Sequence, residues 1–265
     1  MFRSVAIVLV AMVIAACNPA TPAGASAQGS SQPTSNLITP PPDAAATPEP
    51  TRTKAPTAIP QATPSADKVA EYLIPYGDDT YYAHADVIAE IKNIGGTWIA
   101  VEAFESDYTI YDEAGDVVTT GNFSYAFPRY LAPGETGYLA TDVVADGVKT
   151  AEMKRVEVNA YFNKVDESDA IVLVVETSKN RGGDEFDGTT TTGKVKNTSP
   201  EDVDSFHVGA FYLDANSKPL GFSYTNLGQN LAAGQSKAFE TISSGPNVPL
   251  GNINDTRLFA ASSFD

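Results

Sequence analysis

One cysteine, two histidines and one tryptophan in 265 residues leave little material for several kinds of chemistry. A single thiol excludes an intrachain disulfide framework and a structural zinc site of the cysteine type, so the folded part has to rest on packing. Two imidazoles are too few for a histidine metal cluster. Basic side chains are scarce as well, 17 Lys and Arg against 33 Asp and Glu, and the formal charge of -16 would repel phosphates. That argues against nucleic acid, and against an anionic lipid surface, as an unaided partner. What the chain does have is 42% hydrophobic residues, the ordinary globular range, in a length that suits one or two domains.

The N-terminus carries Arg3 and then an apolar run from Val5 to Val13, too short to span a bilayer and placed as in a signal peptide. The run continues into Ile14-Ala15-Ala16-Cys17. These four residues resemble the lipobox of bacterial lipoproteins: a branched apolar residue, two small ones, then the cysteine. The resemblance implies cleavage before Cys17, so that 1 to 16 is removed, and acylation of the Cys17 sulfur and amino group. Several acyl chains, at about 0.8 kcal/mol per buried methylene, hold a protein on a lipid bilayer where one chain would not.

From 18 to 67 eleven of the eighteen prolines fall among Ala, Thr and Ser, with no aromatic residue. Such a segment cannot bury enough apolar surface to offset its ordering entropy, and it is predicted to be a disordered tether. Its reach is on the order of 40 Å as a flexible coil and about 155 Å as extended polyproline.

Beyond residue 68 short alternating runs are punctuated by Gly, Asn and Asp, the pattern of an all-β protein. Three landmarks recur in the same order. Asn93 closes Glu90-Ile91-Lys92-Asn93 as Asn197 closes Lys194-Val195-Lys196-Asn197. Tyr111-Asp112-Glu113-Ala114-Gly115 is answered by Leu213-Asp214-Ala215-Asn216-Ser217, and Leu131-Ala132-Pro133-Gly134 by Leu231-Ala232-Ala233-Gly234. This reads as a duplication. Six or seven short strands per copy bury their apolar faces most readily as two face-to-face antiparallel sheets, so two tandem immunoglobulin-like β-sandwiches are expected, at 68 to 168 and 169 to 265. Tyr108-Thr109-Ile110-Tyr111-Asp112 further resembles the signature of the FxLYD domain, with Tyr for Phe and Ile for Leu. In the second copy Phe211-Tyr212-Leu213-Asp214 departs from it, one residue short or with its aromatic displaced. The resemblance implies an extracytoplasmic β-sandwich of the kind found on lipoproteins, and brings no catalytic residue with it.

Few residues invite a chemical role. His84 and His207 fall at non-equivalent places and no Gly-x-Ser-x-Gly elbow is present, so no enzyme and no cofactor is expected. Asp166, Glu167 and Asp169 sit at the expected boundary between the copies and form the one weak calcium candidate, with a second carboxylate group at Asp184, Glu185 and Asp187. Trp98 is either a core anchor or, with Tyr81 and Tyr82, an exposed contact for a partner or sugar. Asn122, Asn197 and Asn254 begin Asn-x-Ser/Thr triplets that in a bacterial lipoprotein have no glycosylation role. The expected protein is therefore an extracytoplasmic, lipid-anchored, non-catalytic binding or scaffolding module for an envelope protein or cell-wall polymer. The other reading is a small-solute or glycan binder with a pocket between the two domains.

Overall fold

The computed structural model describes residues 65–77, 81–182, 188–243 and 245–263. Cys17, the signal segment, the tether up to residue 64 and the carboxylates Asp184, Glu185 and Asp187 lie outside the described residues.

The chain is all-β, its only helices being three single 3-10 turns among the described residues. The first part runs through β1 (Ala66–Tyr76), β2 (Tyr82–Asn93), β3 (Ile99–Val101), β4 (Asp107–Tyr111), β5 (Val117–Asn122), β6 (Tyr125–Phe127), β7 (Tyr130–Leu131), β8 (Thr136–Asp146), β9 (Arg155–Asn159) and β10 (Phe162–Lys164). The second runs through β11 (Leu173–Gly182), β12 (Thr189–Asn197), β13 (Phe206–Leu213), β14 (Pro219–Leu227), β15 (Ser236–Glu240), β16 (Ile242–Ser243) and β17 (Asp255–Ser262). They pair antiparallel into the sheets β1-β2-β8-β6, β10-β3-β7 and β5-β4-β9 in the first part, and β11-β12-β15 and β16-β14-β13-β17 in the second.

Alternation places the cores. In β2 the side chains of Ala83, Ala85, Val87, Ala89 and Ile91 point one way, to meet Ile110 of β4, Leu139 and Val143 of β8, and Val156 and Val158 of β9 in one buried cluster. A second cluster gathers Leu173, Val195, Phe206, Val208, Leu231, Phe239 and Ala260 from the other half.

The recurring landmarks carry the same hydrogen bonds. Asn93, fully buried, donates from its amide to the carbonyls of Thr97 (2.8 Å) and Leu131 (2.9 Å) and accepts from the Gly95 N–H (2.9 Å). Asn197 donates to Glu201 (2.7 Å) and Leu231 (3.0 Å) and accepts from the Ser199 N–H (3.0 Å). Gly134 and Gly234, both at positive φ, donate to the carbonyls of Asn93 and Asn197 at 2.8 and 2.9 Å. Asp112 and Asp214 close their turns by accepting from the N–H four residues on, at 2.9 Å in both cases. Even the register shift near the start of the first strand recurs, between Lys68 and Ala70 in β1 and between Val175 and Thr177 in β11.

These shared bonds align Tyr111 with Leu213 and explain the irregular second motif. Where the first half buries Tyr108 and Ile110, the second buries Ala210 and Tyr212. The large ring has moved two positions along the strand, and the Tyr212 hydroxyl is held there by donating to the Thr189 carbonyl at 2.8 Å.

The opposite faces of β2 and β13 are buried too, against each other. Ile88, Phe127, Tyr138 and Ala140 of the first half form one cluster with Phe211, Phe222 and Ala261 of the second. Tyr138 stacks on Phe211 with ring centroids 4.5 Å apart, Phe127 meets Phe211 edge-on at 5.9 Å, and Tyr125 meets Tyr224 at 4.4 Å. Gly209 lies so close that an added Cβ would stand 2.9 Å from the Phe127 ring. The two halves are thus joined by a buried aromatic layer. The matching positions elsewhere are polar: in the first half Thr109, Thr120 and Asn159 stand where Phe211, Phe222 and Phe259 stand in the second, and in the second half Thr192 and Glu240 stand where Ile88 and Ala140 stand in the first.

Candidate functional site

The sequence candidates do not converge on one place. Tyr82 begins β2 and Trp98 follows the turn at its other end, with the eleven steps of the extended strand, about 36 Å, between Tyr82 and Asn93. Tyr81 and Tyr82 are exposed, and the Tyr81 carbonyl accepts the Gly147 N–H at 3.1 Å. Asp166, Glu167 and Asp169 are exposed around a 3-10 turn, where Asp169 accepts from the Ser168 hydroxyl at 3.0 Å. Among the described residues no group of three or more His, Cys, Asp and Glu side chains is placed to hold a metal ion. The histidines are apart as well. His84 packs its ring at 5.6 Å from Tyr76, whereas His207 pairs its Nδ1 with Asn226 and lies edge-on to Tyr125 at 5.5 Å.

Trp98 is placed by the turn that Asn93 organises. The Asn93 side chain ties Gly95 and Thr97 back to the strand end, so the chain reverses and presents the indole at the start of β3. The Trp98 carbonyl then accepts the Val165 N–H at 3.1 Å, fixing the segment that leads from the first half to the second. The indole is half-buried and absent from the core clusters; it lines a cleft of about 360 Å³ at the joint. Pro128, Tyr130, Glu135 and Thr136 complete the first-half wall, and Ile171 to Val175, together with Leu258, Phe259 and Ala260, supply the other. Tyr130 is steadied by the Arg129 guanidinium 5.5 Å from its ring centre, itself 3.5 Å from a Glu102 carboxylate oxygen. β11 is an edge strand of its sheet, paired only with β12, and the side chains of Val174 within it and of Val172 just before it stay more than a third exposed beside the cleft. A mainly apolar trough beside an edge strand suits an extended segment of another chain.

A smaller hollow of about 270 Å³ is lined by Phe104, Ser124 and Tyr125 of the first half and by His207, Asn226 and Ser263 of the second. None of these is a carboxylate, lysine or arginine. Burial lowers the His207 pKa, so its ring is neutral at pH 7. Pairing of Nδ1 with the Asn226 carbonyl oxygen keeps the proton on that nitrogen and leaves Nε2 as an acceptor.

Sequence reasoning missed Asp86. It faces the joint between the halves, fully buried, one oxygen accepting the Phe222 N–H at 3.3 Å and the other without a hydrogen-bond partner among the described residues. A Cβ added to Gly245 would stand 2.5 Å from both carboxylate oxygens. Desolvation pushes this carboxyl well above the usual carboxylate range, opposed by the Phe222 bond and aided, by less than that bond opposes, by the charge of Asp142 across the strand pair. The one signal available was a lone acid inside Ala85 to Ala89, a run otherwise apolar.

No protein-family model and no curated protein sequence matches this chain.

Proposed function

We propose that this chain is a non-catalytic binding module of two tandem immunoglobulin-like, FxLYD-like sandwiches, held by acylated Cys17 at the outer side of a bacterial membrane. Its ligand is an extended apolar segment of another envelope protein. The observation that carries this reading is the Trp98 cleft lying beside the edge strand β11: backbone pairing to that strand would supply affinity, and Trp98, Tyr130, Ile171 and Val174 would select apolar side chains. Glu135 is the single carboxylate lining the cleft, with no histidine, cysteine or second acid beside it, an arrangement suited to binding.

The test uses the only tryptophan. Envelope proteins retained by the full chain on an affinity column are identified, and peptides from them are titrated against Trp98 fluorescence. A blue shift that saturates, together with about tenfold weaker retention by Trp98→Ala, is the expected result. Retention that is indifferent to Trp98→Ala and to a Val174→Lys change would reject the cleft as the binding surface. The second reading, a small solute or glycan held between the halves, is favoured by the neutral hollow around His207.

A further inference from the structure

We propose that the Trp98 cleft receives its ligand as an added strand on β17, paired to the main chain of Leu258, and that this ligand is an extended apolar segment with a basic residue at one end. The proposal rests on the peptide reading above and names the strand and the chemistry which that reading leaves open. Its first support is the direction of the main-chain groups at the seam between the two sheets of the second half. The Ser263 N–H donates to the Ser205 carbonyl at 3.0 Å, in register with the pairing of β13 and β17. Alternation along an antiparallel pair then turns the N–H and C=O of Leu258 and Ala260 away from β13. β17 is the last strand of its sheet, and these groups have no hydrogen-bond partner among the described residues. Both residues line the cleft. Across it, the bond from the Thr198 N–H to the Val172 carbonyl, at 3.0 Å, turns the main-chain groups of Leu173 and Val175 away from β12 in the same manner.

The first half shows what fills such a seam. Lys68 pairs with Ile91 and Glu71 with Ala89, as Val175 pairs with Val195 and Ser178 with Gly193, and Val158 stands opposite Tyr108 as Leu258 stands opposite Ala210. At Val158 the N–H donates to the Glu71 carboxylate at 3.1 Å and the carbonyl accepts from the Lys68 ammonium at 3.2 Å. Between them the two side chains supply the acceptor and the donor that one residue of an added strand would supply. In the second half Val175 carries no polar side-chain group, and the shorter Ser178 makes no bond to Leu258 among the described residues. The seam bridged from within the chain at Val158 is left at Leu258 for another chain to bridge. The charge of the cleft says more about that chain. Glu135, one oxygen of which accepts the Ala132 N–H at 2.9 Å, is the only charged residue in the lining. In a protein of formal charge -16, an acid at the end of an apolar trough favours a cationic side chain on the ligand.

The test titrates synthetic peptides against Trp98 fluorescence of the full chain in detergent. The probes are peptides of about eight alternating valines and threonines, long enough to follow β17, with one lysine at either end. A saturable blue shift is expected. Methylating the backbone nitrogens of alternate residues blocks one edge of the peptide at a time, and in at least one phase it should weaken binding about tenfold. Val175→Lys combined with Ser178→Glu gives the second half the bridge of the first, and should weaken binding about tenfold as well. Thermal unfolding shows whether that double variant is folded, and the methylated peptides give the answer on the native chain if it is not. Exchanging the peptide lysine for glutamate should weaken binding about threefold, a difference that Glu135→Gln should erase. Undiminished binding of both methylated peptides, or undiminished binding to the folded double variant, overturns the pairing on β17. Equal binding of the lysine and glutamate peptides overturns the basic residue. In either case continued weakening by Trp98→Ala leaves the cleft reading intact. If no peptide moves the emission the proposal is overturned, and the retention of envelope proteins still judges the reading above separately.

Discussion

Asp86 and the two buried asparagines show how differently a polar group can sit in a β core. Asn93 and Asn197 spend both amide hydrogens and their oxygen on backbone groups, and each is fully buried with its polar atoms satisfied. Replacing either by Ala removes three hydrogen bonds of a buried side chain, and a loss of about 3 kcal/mol in urea unfolding is expected. Asp86 is the opposite case, with one oxygen unpartnered and its charged form desolvated. Its folded-state pKa lies above the unfolded value of about 3.9, so its stabilising effect is complete below that pH and is lost as pH rises toward the folded value, at up to about 1.4 kcal/mol per pH unit. Tm measured from pH 4 to 7 should therefore fall more in the native chain than in Asp86→Asn, whose curve should be flatter. Equal slopes would mean that Asp86 is not the titrating group. The asparagines were visible in the sequence because each acts within a local strand end, whereas the burial of Asp86 depends on residues 222 and 245, far along the chain.

The strands and turns were legible for the same local reason: period-two alternation, the Asp-led turns and the Leu-Ala-x-Gly turns all act within a few residues. What could not be read was the second buried face of β2 and β13. A strand apolar on both sides shows the same letters whether its far face meets a neighbouring sheet or a ligand. Phe211 sits at that far face, stacked on Tyr138 and edge-on to Phe127, and it displaced the aromatic that the motif would have placed in the core. Phe211→Ala should cost about 3 to 5 kcal/mol, comparable to a truncation inside either core, because the cavity it leaves is walled by rings from both halves. Phe259→Ala at the rim should cost less, since its ring is only partly buried. Thermal unfolding of the two variants compares them directly.

At the scale of the whole molecule the aromatic layer couples what the sequence presents as two separate units. At Asp166 to Asp169 the chain passes from one half to the other through a 3-10 turn, anchored beforehand by the Val165 bond to Trp98. Unfolding should follow a single transition, with Trp98 fluorescence from the first half and the His207 signal from the second changing together. Two resolved transitions would show that the layer contributes little.

Docking in this molecule is head to tail: the two faces in contact come from different sheets of the two halves, an arrangement that in principle extends without limit. Here it stops after one step, because Thr109, Thr120 and Asn159 end the stack on one side and Thr192 and Glu240 on the other. The halves are therefore not interchangeable parts. A gene encoding the first half twice would give two beads on a string, with threonines facing Ile88 and no aromatic layer. Installing phenylalanines at Thr109 and Thr120 and apolar residues at Thr192 and Glu240 would turn a closed pair into a monomer for a filament.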